Sequence, residues 1–321
     1  MKNIKLGIKL IGGFALTALI ALIIGLTGIF TMRDLSGSIE SIGSQSLPSV
    51  EHLLRIKGSI SDLTTNLRTL LSTELTVQER KDIPTQIQNI HESYKNSADA
   101  YIALPHDAEE AALWKEAQAT LANLAGINNK VIGLNEHLVK LDIMSPDDLM
   151  GKLQQFRGDH YKLMSDTAKL LATGEKFDGG TDHTACGFGK WFSGFATVNP
   201  KLKEALAAAF PLHKAFHESI HEIKEDIAAG RTQEAQEAYK KVLPTAEGVF
   251  AQFRTMRGQA EEAQKTFNEM GQLLMAESKA SQDKLDRVMF EAVDLTTRKS
   301  AQAAADGRSE AVRAMTVASV G

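Results

Sequence analysis

Along most of the chain, apolar residues recur at intervals of three and four, the spacing that gathers them on one face of an α-helix. Residues 149–170 carry Leu149, Leu153, Phe156, Leu163 and Leu170 in this register, and residues 212–227 carry Leu212, Phe216, Ile220, Ile223 and Ile227. Strict alternation of apolar and polar positions, the mark of a half-buried strand, does not stand out. Prolines and glycines divide the pattern. A first helix is expected over about 34–75 with a bend at Pro48, a second over 78–103 with Pro84 near its start, and a third over 107–143 after the turn LPHDAEE. Ser145-Pro146-Asp147-Asp148 then reads as a helix start, with Ser as N-cap, Pro at the first position and acids in the first turn. That helix ends near ATGEKFDGGTD (172–182), and helix resumes at Asn199-Pro200. Pro211 is expected to begin a fresh helix that closes at Gly230, and Thr232 to cap the next. Residues from about 250 to 315 read as helix without a strong stop, a length of roughly 90 Å at 1.5 Å per residue.

The chain opens on a different pattern. Leu10 to Thr31 is an uncharged, strongly apolar run of 22 residues, and a helix needs roughly 20 to cross a bilayer. The apolar part of a cleaved signal peptide is only about 7–15 residues long and is followed by a small-residue cleavage site. This run is longer, and TMRDLSGS offers no such site, so 10–31 is read as a transmembrane anchor. Lys2, Lys5 and Lys9 precede it while Arg33 and Asp34 follow, which puts residues 1–9 in the cytoplasm and the chain from 34 onward outside the inner membrane. No second long apolar run appears before Gly321.

A net charge of −4 gives no overall basic footprint for nucleic acid. The chain has no phosphate-type glycine loop, no G-x-S-x-G and no H-E-x-x-H. Its one cysteine excludes an intrachain disulfide, so the thiol is free, a metal ligand or a nucleophile. Cys186 lies in HTACGFGKWFSGF (183–195), a glycine-bearing aromatic loop among plain helices.

Five of the nine histidines fall between 160 and 221: His160, His183, His213, His217 and His221. His160 continues the apolar stripe of its helix, and a buried imidazole needs a hydrogen-bond partner or a metal. His213 and His217 are one turn apart and can clasp one ion. On an ideal wheel centred near Phe216 they lie about 60° and about 100° from the stripe, and His221 about 140°, so His221 faces outward. Thiolate and imidazole are the ligands zinc favours in a tetrahedral set. His183, three residues before Cys186, is a rival ligand to His160.

At Cys186-Gly187-Phe188-Gly189-Lys190-Trp191, followed by the pair His213-x-x-x-His217, the chain resembles the chemoreceptor zinc-binding (CZB) domain. That family carries a Cys-x-(Leu/Phe)-Gly-x-Trp core, an upstream helical histidine and a downstream His-x-x-x-His pair. The resemblance implies one Zn2+ held by His160, Cys186, His213 and His217. One position departs from the family pattern: an aromatic or Leu is usual two places after the first histidine, and here Lys162 stands there. The N-terminal anchor and the long Ala/Leu/Gln/Glu-rich helices are similar to the four-helix-bundle sensor region of methyl-accepting chemotaxis proteins.

Together these readings give an all-α chain: a transmembrane helix, then an elongated antiparallel helical bundle with an inserted small zinc-binding helical bundle. Residues 32–145 supply the first three sensor helices, 146–250 the zinc-binding domain, and 251–321 a final sensor helix leading toward a second span. The chain stops at AMTVASVG, about where that span would begin, and reads as the sensory part of a longer receptor or a truncated gene product. The resemblance implies a homodimeric receptor of the bacterial inner membrane with its sensor in the periplasm, and chemotaxis signalling proteins as partners through a module outside this chain. Most relatives of the zinc domain are cytoplasmic, so a periplasmic copy departs from them. A structural zinc in a receptor that senses another small ligand, or the sensor of a non-chemotaxis output such as a diguanylate cyclase, is the alternative. A zinc hydrolase is not expected, because a catalytic zinc keeps three protein ligands and an open position.

Overall fold

The computed structural model describes residues 5–320. Of the expected cytoplasmic tip, residues 1–4 lie outside the described part. The described residues form helices and connecting turns, with no strand among them. In order they are α1 (Leu6–Ser41), α2 (Leu47–Thr69), α3 (Val77–Ile102), α4 (Ala108–Leu141), α5 (Pro146–Thr173), α6 (Gly187–Gly194), α7 (Pro200–Ala228), α8 (Thr232–Gln272) and α9 (Lys279–Val320). The run from Leu6 to Thr69 is one continuous helix, long and apolar enough at its N-terminal end to cross a membrane.

Local chemistry explains where the helices start, stop or loosen. Just before Pro48, the first helix widens into a π-turn over Ile42–Ser46, where the Leu47 N–H bonds to the carbonyl of Ile42. Pro48 has no N–H to give to Ser44, so the hydrogen-bond ladder is already broken at this point. α2 ends at Thr69, earlier than the expected 75. The buried Arg80 takes the carbonyl of Leu70 at 2.8 Å and that of Ser72 at 2.6 Å, which ends the helical ladder there. Thr76 and Glu79 form a reciprocal capping box at the start of α3, and Asp107 and Glu110 form another at the start of α4. α5 begins at Pro146 and closes on Gly174 in the left-handed region at φ 74°.

Two expectations are corrected. Pro211 does not begin a helix: it lies inside α7, which runs unbroken from Pro200 to Ala228. Pro211 and Ala207 are both on the exposed side, where water can satisfy the carbonyl that the proline leaves unbonded. Thr232 is the first helical residue of α8 rather than its cap, and Arg231 occupies the cap position. α8 also passes through residue 250 without a break and continues through a π-turn at Leu273–Ser278 into α9.

The chain divides into two compact units. One comprises residues 1–65, 87–126 and 279–321. Its core takes Leu53 and Ile56 from α2, Ala98 and Tyr101 from α3, Trp114, Ala117, Leu121 and Leu124 from α4, and Leu285, Val288, Met289 and Ala292 from α9. The three- and four-residue steps on each helix make this a four-helix bundle. The other unit comprises residues 66–86 and 127–278. There α8 packs along α7 and α5, and Phe156, Phe188, Phe216, Ile220, Ile223, Val249 and Phe253 are buried.

Candidate metal centre

Three elements of the second unit bring a group of side chains together. On α5, Leu149, Leu153, Phe156, His160, Thr167 and Leu170 are the buried stripe, so His160 is carried inward by helical register alone. On α7, His213 and His217 are each 1% exposed, beside the fully buried Phe216 and Ile220. Cys186 is the N-cap of the short helix α6, and its Sγ accepts the Gly189 N–H at 3.2 Å. A helix N-terminus favours negative charge, so this position suits a thiolate. Gly189 is required by close approach: a Cβ there would overlap the carbonyl oxygen of His183 and come within 2.9 Å of Thr184 Cα.

One ligand atom from each of His160, Cys186, His213 and His217 lies within 4.8 Å of every other. Cys186 Sγ is 3.2 Å from His213 Nε2, and His213 Nε2 is 3.1 Å from His217 Nε2. In a tetrahedron with metal–nitrogen bonds of about 2.0–2.1 Å and a metal–sulfur bond of about 2.3 Å, ligand atoms stand about 3.3–3.6 Å apart. The Cys186–His213 and His213–His217 spacings are slightly tighter than this, and the whole group lies within 4.8 Å.

The rings are also turned correctly. His160 Nδ1 donates to the Phe156 carbonyl at 2.6 Å, and His217 Nδ1 donates to the Gly180 carbonyl at 2.8 Å. Each bond fixes the tautomer that leaves Nε2 as a lone-pair donor, the outer arrangement typical of metal-bound histidine. The Nε2 of His160 is buried with no hydrogen-bond partner. An orphaned buried nitrogen is costly unless something electrophilic meets it. The residues therefore fit a tetrahedral cation of the zinc type.

Electrostatics agree with neutral rings. Burial, with the neighbouring His217, His160 and His183, pushes His213 down to about 3. Burial pushes His217 down to about 4 and lowers His160 as well. Burial raises the Cys186 thiol, against the Gly189 and Phe188 N–H groups that lower it. A metal ion held by these four side chains would reverse that balance by favouring the thiolate. Around the group stand aromatic rings. Phe188 meets His213 edge-on at 4.8 Å, Phe216 lies 5.3 Å from His160, and Trp191 lies 5.6 Å from Phe156.

His183 is half-buried and outside the four-residue group, with its ring 6.1 Å from that of His213. His221 is exposed and pairs with Glu225 at 3.2 Å. Lys162 points to solvent and pairs with Asp166 at 2.7 Å. Sequence reasoning missed the loop that carries Gly180. Lys224, seven residues after His217 on α7, donates to the carbonyls of Phe177 at 2.7 Å and Gly179 at 2.6 Å and lies 3.8 Å from the Phe177 ring centre. Gly180 itself is at φ 81°, and a Cβ there would come within 2.5 Å of Leu163 Cδ1. The Gly179-Gly180 pair and a lysine two turns beyond His217 were the available signals.

No curated protein and no solved structure matches the chain. Residues 3–137 match the family model of the four helix bundle sensory module for signal transduction. Residues 160–224, which hold all four clustered side chains, match the chemoreceptor zinc-binding domain. The chain thus carries a chemoreceptor-type four-helix-bundle sensory module followed by a chemoreceptor zinc-binding domain.

Proposed function

We propose that this chain is the sensory part of a membrane-anchored bacterial chemoreceptor that holds one Zn2+ through His160, Cys186, His213 and His217. The observation that carries the reading is the convergence of four ligand atoms within 4.8 Å, one of them the unpartnered Nε2 of His160. Bound zinc supplies a charge that keeps the thiol deprotonated and ties α6 to α5 and α7. Residues 10–31 anchor the chain in the inner membrane and the helical region lies in the periplasm, a reading supported by the apolar run and the lysines before it. The receptor works as a homodimer and passes its state to chemotaxis signalling proteins through a cytoplasmic module. The domain limits are those of the sequence reading, with the zinc-binding domain over 146–250 inserted before the final sensor helix.

Signal transfer runs through α8. It packs along both α5 and α7 and continues without a break into α9. Loss of zinc, or oxidation of Cys186 to sulfenic acid, a poorer ligand, loosens the tie between α6 and the two histidine helices. A displacement of roughly 1–2 Å in α8 and α9 is the scale of known helix switches. Hydrogen exchange with and without a chelator tests this. The reading expects chelation to change exchange in 255–315 as well as in 150–230. A change confined to 150–230 assigns the zinc a structural role only, a second reading favoured by its four-ligand closure.

A further inference from the structure

We propose that the cleft between α5 and α8, on the outer side of the metal centre, is a binding site for a small aromatic carboxylate. The cleft has a volume of about 580 Å³, within the range of small-molecule sites. Its floor is apolar and aromatic: Leu153 and Met150 on α5, Phe250 and Phe253 on α8, and the half-exposed ring of Tyr161. The Tyr161 and Phe250 rings lie 4.8 Å apart at a tilt of 40°, and with Phe250 buried it is the exposed Tyr161 ring on which a third ring can stack.

The rim is cationic. Arg157, Arg254 and Arg257 line the cleft, and no acidic residue does. Arg257 is engaged by Glu261 at 2.8 Å. Arg157 and Arg254 have no carboxylate partner among the described residues, in a chain whose net charge is −4. Arg157 instead lies over the rings of Tyr161 and Phe250, at 5.3 and 5.9 Å from their centres. Its Nη2 also donates to the Tyr161 hydroxyl at 3.4 Å, which ties the guanidinium to the aromatic floor and leaves its other N–H groups to grip a carboxylate. Gly158 keeps the floor open. A Cβ there would meet nothing within 4 Å, so no close contact requires glycine.

The aromatic floor is shared with the metal centre. Phe250 meets the ring of His160 edge-on at 6.4 Å, and Phe253 meets Phe188, beside Cys186, at 4.9 Å. A ligand in the cleft therefore presses on side chains that also wall the metal group. The cleft does not rest on the zinc reading, because none of the four clustered residues lines it.

Calorimetric titration of benzoate into the full chain in detergent micelles tests the proposal. Benzamide, with the ring but no charge, and inorganic phosphate, with charge but no ring, are the controls. Saturable benzoate binding is expected, with benzamide and phosphate at least tenfold weaker. Arg157→Gln and Arg254→Gln should each weaken benzoate at least about tenfold. Gly158→Leu fills the floor, keeps both guanidinium groups and should abolish binding. Both arginines are exposed, so the core is untouched, and zinc content stays at the parental level in all three variants. The proposal is overturned by no saturable benzoate binding, by unchanged affinity in the Arg157→Gln/Arg254→Gln double variant, or by benzamide bound as tightly as benzoate. A change of subunit number in the double variant, with no benzoate bound by the parent chain, also overturns it and assigns the cleft to contact between copies.

Discussion

The carbonyl of Gly180 accepts the Nδ1–H of His217 at 2.8 Å, across 37 residues of chain. This one bond decides which nitrogen of His217 faces the other three side chains. Lys224 keeps the acceptor in place by gripping the carbonyls of Phe177 and Gly179 just before it. Replacing Lys224 by Met keeps the apolar stem and removes the ammonium. Zinc affinity, measured by competition with a chromogenic chelator, should fall about tenfold or more, the usual scale for outer-shell partners of metal-bound histidine. Nitrogen NMR of His217 should show a mixed tautomer. Unchanged affinity with a single tautomer would show that the loop holds itself.

Acid should destabilise the metal-free protein. In the folded chain His213 is held at about 3 and His217 at about 4, against about 6.5 in an unfolded chain. Above 6.5 both states are neutral and nothing is lost. As the pH falls from 6.5 toward 4, the unfolded chain takes up protons that the folded site refuses, so stability drops. Thermal melts of the chelated protein across this window should show the decline. His213→Gln/His217→Gln should show a flatter profile. A melting temperature that rises toward pH 4 would contradict the burial of neutral rings.

Much of this was legible from spacing. His160 continues a stripe of apolar positions, and helical periodicity is a property of the sequence itself. His213 and His217 are buried as the wheel implies, and His221 is turned out to Glu225. What the sequence could not supply depends on surroundings. Pro211 reads as a helix start, yet on an exposed face it is tolerated inside α7. Beyond the end of α2, the Leu70 carbonyl is taken by Arg80, ten positions further along the chain, and no local stop signal marks it. The role of Cys186 as an N-cap needs α6, which eight residues of glycine and aromatic sequence do not announce. The Lys224–Gly179 contact spans 45 residues and has no periodicity to reveal it.

Gly189→Ala isolates the demand for close approach in the Cys186 loop. The added methyl overlaps the backbone of His183 and Thr184, which cannot swing away as a side chain could. A loss of about 1–3 kcal/mol in stability, the usual cost of overfilling, should accompany weaker zinc retention. Gly194→Ala, where a Cβ would meet nothing within 4 Å, is the matched control and should be neutral. Chemical denaturation of both variants measures the difference, and equal midpoints would contradict the tight turn.

Topology has its own test. The lysines before the apolar run support a cytoplasmic N-terminus and a periplasmic helical region. Alkaline phosphatase fused after residue 315 should be active, and a cytoplasmic reporter at the same place should be silent. The reverse pattern would move the metal group to the cytoplasm.

The central claim is that four named side chains hold one zinc ion. Native mass spectrometry of the detergent-purified chain, with Cys186→Ala, His160→Ala and His183→Ala beside it, addresses it most directly. The account predicts one zinc per chain in the parent and in His183→Ala, and loss of the ion in Cys186→Ala and His160→Ala. Full zinc content in Cys186→Ala would contradict it, and loss in His183→Ala with retention in His160→Ala would replace His160 by His183 as the ligand.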